Sequence, residues 1–125
     1  MIDWASLHRE LDELCSFYKI PKAHRPHIER FDRMANCVGF YCDITNSLMI
    51  YTRQNQEEAL KTLRHEFGHF ILAYRDPKGR HIHAEERICK MMERTRLRFP
   101  HLAKTTQQPL DSFLKQHTHS SQHHV

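Results

Sequence analysis

Glycine and proline are scarce in this 125-residue chain, at three and five, tryptophan occurs once, and no apolar run exceeds the five residues Phe70 to Tyr74. The first scarcity excludes collagen-like and low-complexity chains. With 39% hydrophobic and 27% charged residues the composition also excludes wholesale disorder. A membrane-spanning helix needs about 20 consecutive apolar residues, far more than any run here. The first twenty residues carry Asp3, Arg9, Glu10, Asp12, Glu13 and Lys19, which a signal-peptide core does not tolerate. The expectation is a soluble, cytoplasmic protein with no membrane partner. Four cysteines, Cys15, Cys37, Cys42 and Cys89, contain no C-x-x-C pair, which excludes a zinc ribbon and a thioredoxin-type redox site. They read as reduced core residues, with Cys37 and Cys42 on opposite faces of one strand.

What is present suits one domain. A chain of this size buries roughly two thirds of its extended surface, enough for a single core. The domain is expected over residues 1–104. Residues 105–125 read as a disordered polar tail whose His117, His119, His123 and His124 can take up metal adventitiously. The formal charge of +4 is uneven: residues 75–104 hold nine Lys/Arg against four acids, and residues 1–74 nine against ten.

The expected class is α+β. Trp4, Leu7, Leu11, Leu14, Cys15 and Tyr18 recur at helical spacing behind Asp3, a good N-cap, so residues 3–18 predict an amphipathic helix ended by Pro21 and Pro26. The period then shortens toward two over His27–Phe31, Asn36–Cys42 and Ser47–Thr52, predicting a small three-stranded sheet. Asp43 to Asn46 supplies turn chemistry for a hairpin between the last two strands. Asn55 and Glu58 have the spacing of a capping box, opening a helix over Gln56–Tyr74. On that helix Leu60, Leu63, Phe67, Phe70, Ile71 and Tyr74 share an arc of about 100°. Asp76-Pro77-Lys78-Gly79 predicts a turn, followed by a second helix from His83 to Phe99 stopped by Pro100.

The strongest helix contains His65-Glu66-Phe67-Gly68-His69, the H-E-x-x-H pattern. An i, i+4 separation sets two imidazoles one turn apart on one face, where both reach a single Zn²⁺. Both fall roughly opposite the apolar arc, which predicts a metal face cleanly separated from the packing face. Glu66 is placed to reach a water held by the ion, the position of a general base. Gly68 in a helix interior costs about 1 kcal/mol relative to Ala, which makes sense if another backbone approaches closely there.

The run Thr62 to Leu72, preceded by a short hairpin and followed by a second helix, resembles the zincin metallopeptidases, and is most similar to small gluzincins and the ImmA/IrrE-like peptidases. The resemblance spans residues 28–99 and is specific at the motif. It implies a zincin-like fold, zinc on His65, His69 and a Glu of the following helix, and Glu66 as the base. On the second helix Ile88, Cys89, Met92, Thr95 and Phe99 define an apolar arc with Glu85 inside it. A carboxylate there needs a partner, which makes Glu85 the preferred third ligand, with Glu86, His83 and His81 as alternatives. His83-Ala84-Glu85-Glu86 is also similar to a stretch of SprT-like metallopeptidases, as is Arg33-Met34. In that resemblance His83 is the ligand.

The implied reaction is amide hydrolysis, with a protein or peptide as substrate. Strand Ser47–Thr52 is expected to line the cleft and pair with an extended substrate, and Tyr74, Tyr51 or His81 are candidate oxyanion donors. Arg87, Lys90, Arg94 and Arg98 form a basic stripe on the second helix, either a solvated face or a phosphate-binding one. The second possibility makes the alternative function a nucleic-acid-associated protease or an inactive zinc-binding regulatory module.

Overall fold

In a computed structural model residues 1–33, 36–76, 78–79, 84–94 and 100–103 are described. They form an α+β fold with three α-helices and one three-stranded sheet. Helix α1 (Trp4–Phe17) starts where Asp3 accepts a hydrogen bond from the Ser6 amide, and buries Leu7, Leu11, Leu14 and Cys15. It stops short of the prolines, because Lys19 adopts a left-handed φ of 57° and the Ile20 amide turns back to Cys15 O.

Strands β1 (His27–Phe31), β2 (Gly39–Cys42) and β3 (Ser47–Tyr51) lie in the order β1-β3-β2. β1 runs parallel to β3 and β2 antiparallel to it. The hairpin over 43–46 connects β2 and β3 as its sequence predicts, with Asn46 at φ 53°, a conformation Asn tolerates better than most residues. Strand β2 is shorter than its composition predicts. Cys37 therefore lies before the strand and is exposed, whereas Cys15 and Cys89 are core residues.

Helix α2 (Gln56–Arg75) is the central element, packing on α1, β2, β3 and the third helix, α3 (Glu85–Arg94). Its capping box forms in full, Asn55 accepting from the Glu58 amide at 2.8 Å and Glu58 from the Asn55 amide at 3.0 Å. Leu63, Phe67, Phe70, Ile71 and Tyr74 are buried as the wheel predicts, and so are Thr62, Glu66, Gly68 and Leu72. The clean division of the helix into a packing face and an open face is thus corrected: neighbours on several sides cover all but a strip. The turn after α2 closes with the Gly79 amide on Asp76 O, and Gly79 has φ 73°, where glycine carries no Cβ penalty. The expected limits of α3 at His83 and Phe99, and the tail 105–125, lie outside the described residues.

Two glycines mark close approaches. A Cβ on Gly68 would stand 2.7 Å from Cys89 Sγ and 3.2 Å from Cys89 Cα, so α3 crosses α2 at this point. A Cβ on Gly39 would collide with Thr62 Cγ2 and stand 2.8 Å from Met49 O, so β2 presses onto α2 one turn before the motif histidines. Among the described residues no helix is long and apolar enough to cross a membrane.

Burial separates the four thiols. Desolvation pushes the Cys15 thiol up to about 12 and that of Cys89 well above its usual range. Brief alkylation of the native protein at neutral pH is expected to modify Cys37 and Cys42 only, with Cys15 and Cys89 reacting after denaturation. Peptide mapping of the labelled sites checks this, and native labelling of Cys89 would contradict the packing of α2 on α3.

Candidate metal centre

The i, i+4 spacing on α2 sets the rings of His65 and His69 with centroids 5.2 Å apart, both half-buried. Antiparallel packing of α3 across Gly68 brings a stripe of its side chains over them. Glu85, Cys89 and Glu93 recur every four residues and so share one face. Glu85 meets His69, Cys89 meets Gly68 and Glu93 meets His65.

Each imidazole has a carboxylate near both of its nitrogens. Carboxylates accept hydrogen bonds, so His65 Nδ1 donates to Glu93 Oε2 at 2.5 Å and His69 Nδ1 donates to Glu85 Oε2 at 2.6 Å. These contacts fix the rings and direct both Nε2 atoms at one group, Glu86. Its Oε1 is 3.1 Å from His65 Nε2 and its Oε2 is 3.0 Å from His69 Nε2. The preferred ligand Glu85 is thus brought to the site on the Nδ1 side of His69, while Glu86, an alternative, faces both Nε2 atoms. His83 and His81 lie outside the described residues. Glu93 was missed by sequence reasoning, although its place two turns beyond Glu85 was a legible signal.

His65, His69 and Cys89 form a group that could hold a metal ion, with one ligand atom from each lying within 4.8 Å of the others. The donor set fits a divalent cation. Four carboxylates, Glu66, Glu85, Glu86 and Glu93, converge on two imidazoles, concentrating negative charge that a cation would offset. Carboxylates on Nδ1 are also the usual way of orienting metal-binding histidines.

Glu66 differs from the other acids. It is only 8% exposed, and among the described residues it makes no hydrogen bond or ion pair that would stabilise its charge. Burial raises its carboxyl above the ordinary range; His65 and His69 pull it back, and Glu86 and Glu93 add to the rise. A buried acid left in that condition beside a cluster of possible ligands is a marker of function.

The histidines open onto a cavity of about 1130 Å³ lined by Val38, Gly39, Phe40 and Tyr41 on one side and by Glu85, Glu86 and Lys90 on the other. The strand at its rim is β2. This corrects the expectation for Ser47–Thr52: β3 is the central strand, paired on both sides, and has no edge to offer. The candidate oxyanion donors also need correction. Tyr74 is buried with its hydroxyl against His24 Nδ1 at 2.9 Å, Tyr51 packs beside Phe31, and neither lines the cavity. His81 is outside the described residues. Tyr41 does line the cavity, and its hydroxyl donates to Asn46 Oδ1 at 2.7 Å. Of the basic stripe, Arg87 and Lys90 are exposed, and the side chains of Arg94 and Arg98 are outside the described set.

No protein-family model, curated protein or solved structure matches this chain.

Proposed function

We propose that the chain is a zinc-dependent metallopeptidase of zincin type. The observation that carries this reading is the pair of Nε2 atoms aimed at one carboxylate beside the buried Glu66, which has no hydrogen-bond or ion-pair partner among the described residues. In this reading zinc is held by His65, His69 and Glu86. Glu85 and Glu93 orient the rings, and Cys89 fills the helix crossing. Bound there, zinc supplies a Lewis acid and water that ionises near neutral pH.

The protein's own groups supply the rest. Glu66 takes a proton from the attacking water and returns it to the leaving amine. Its raised affinity for protons suits both halves of that task, since the base must also become an acid. Substrate docking is supported by β2. Because Tyr51 N donates to Val38 O, the alternating ladder pairs Phe40 with Met49 and Cys42 with Ser47. The N–H and C=O groups of Gly39 and Tyr41 are then left facing the open edge, where an extended peptide can add as a strand. Four unpaired cysteines favour a reducing, intracellular setting.

Metal analysis of single variants tests the ligand set, with His65→Ala/His69→Ala subtracting ions held elsewhere in the chain. One zinc per chain is expected at the site. Glu86→Ala should release it, Glu85→Gln and Glu93→Gln should weaken it about 10- to 100-fold, and Cys89→Ala should keep it. A parent protein no richer in zinc than the double histidine variant would end the metallopeptidase reading. Full retention in Glu86→Ala with loss in His83→Ala, Glu85→Gln or Cys89→Ala would move the third ligand to that residue.

A further inference from the structure

Arg64 immediately precedes the first motif histidine and points away from the cleft into the junction of the three helices. Its Nε donates to Glu10 Oε2 at 2.9 Å, and both side chains of this pair are largely removed from solvent. Its Nη1 donates to the main-chain oxygen of Glu93 at 3.4 Å. Glu93 is the residue whose carboxylate holds His65 Nδ1. A chain of contacts thus runs from α1 to the metal-facing ring: Glu10 to Arg64, Arg64 to the Glu93 backbone, and the Glu93 side chain to His65.

Resting on the zinc reading above, we infer that Arg64 is a positioning residue for the metal centre, held by Glu10 and acting through Glu93 on His65. The guanidinium suits this role because its planar fork reaches two acceptors in fixed relative directions, which an ammonium group does not do. Glu10 matters because a buried guanidinium without its counter-charge would turn toward solvent or other acceptors. Arg64 contacts neither ion nor substrate and is not a catalytic residue. The N-terminal helix is thereby part of the apparatus that sets ring orientation.

The test is zinc affinity by chelator competition on the full chain, with cobalt absorption reporting coordination by His65 and His69, and with His65→Ala/His69→Ala as the blank. Arg64→Gln is expected to weaken zinc about tenfold or more and to alter the cobalt spectrum, as losing a carboxylate that orients a ligand does. In a Glu93→Gln background the same change should cause no further loss, because its route to the ring has already been cut. A merely structural arginine would lower the melting temperature in both backgrounds while leaving affinity unchanged, or would weaken affinity by the same factor in both. Either result overturns the inference. If Arg64→Gln does not fold, Glu10→Gln is read by the same criteria. A parent chain that binds no more zinc than the blank fails the zinc reading itself and is distinguishable from these outcomes.

Discussion

Glu66→Gln is expected to retain zinc, to lose peptide hydrolysis by about 10²- to 10⁴-fold, and in its metal-free form to melt higher than the parent. The first two effects follow from the proposed role of the carboxylate, which would move a proton and bind no ion. The third follows from its surroundings. Burial raises the proton affinity of Glu66 in the folded protein above that of an unfolded chain. A carboxyl with a raised folded value favours folding fully below its unfolded value, and this contribution is lost as pH rises through the folded value. Above its unfolded value the acid therefore opposes folding, and glutamine, of nearly the same shape, removes the opposition. The gain in melting temperature should be larger at pH 7 than at pH 4. Thermal scans at both values, with activity and zinc content measured in parallel, check the three effects. Unimpaired hydrolysis would dismiss Glu66 as the base, and a lower melting temperature at neutral pH would show that the parent carboxylate has a stabilising partner.

Gly68→Ala should destabilise the fold and weaken the proposed zinc site together. Two terms compete. Alanine is favoured over glycine in a helix by about 1 kcal/mol, whereas overpacking a close contact costs about 1–3 kcal/mol. The geometry decides for the second. The new methyl would stand 2.7 Å from Cys89 Sγ, and even with the sulfur rotated away the Cys89 backbone stands at 3.2 Å. Helix α3 must therefore shift outward at this crossing. Glu85, Glu86 and Glu93 ride on it, so their distances to His65 and His69 lengthen at once. A net loss of up to about 2 kcal/mol, with weaker zinc binding, is the expected result. Adding Cys89→Ala should restore part of the stability. Denaturant titration and chelator competition measure the two losses. Parent-like values in both would show that the helices do not approach as closely as the structure has them.

These two residues also illustrate how much was legible beforehand. The glycine inside a strong helix already implied a close neighbour, and the neighbour proved to be α3 at Cys89. The Asp3 cap, the Asn55/Glu58 box and the 43–46 hairpin were readable because each involves groups a few residues apart. The burial of Glu66 was not. It needs β2 on one side of α2 and α3 on another, and a single helical wheel contains neither. The choice of β2 over β3 as the cleft strand fails from sequence for the same reason. Both segments have strand composition, and only the order β1-β3-β2 leaves one of them at an edge.

The linear chain was sufficient for the element types, for the two imidazoles one turn apart and for the acid between them, since all of these follow from helical periodicity and the chemistry of neighbouring residues. Packing chose the rest. Whether Glu85 or Glu86 faces the imidazole Nε2 atoms, that Glu93 holds His65, and that Arg64 links this carboxylate to Glu10 all depend on the crossing of α2 and α3. Neighbours on one helix differ by about 100° in direction, so a modest rotation of α3 against α2 exchanges one glutamate for the next. That rotation is set by side-chain contacts between distant segments, and local pattern does not encode it.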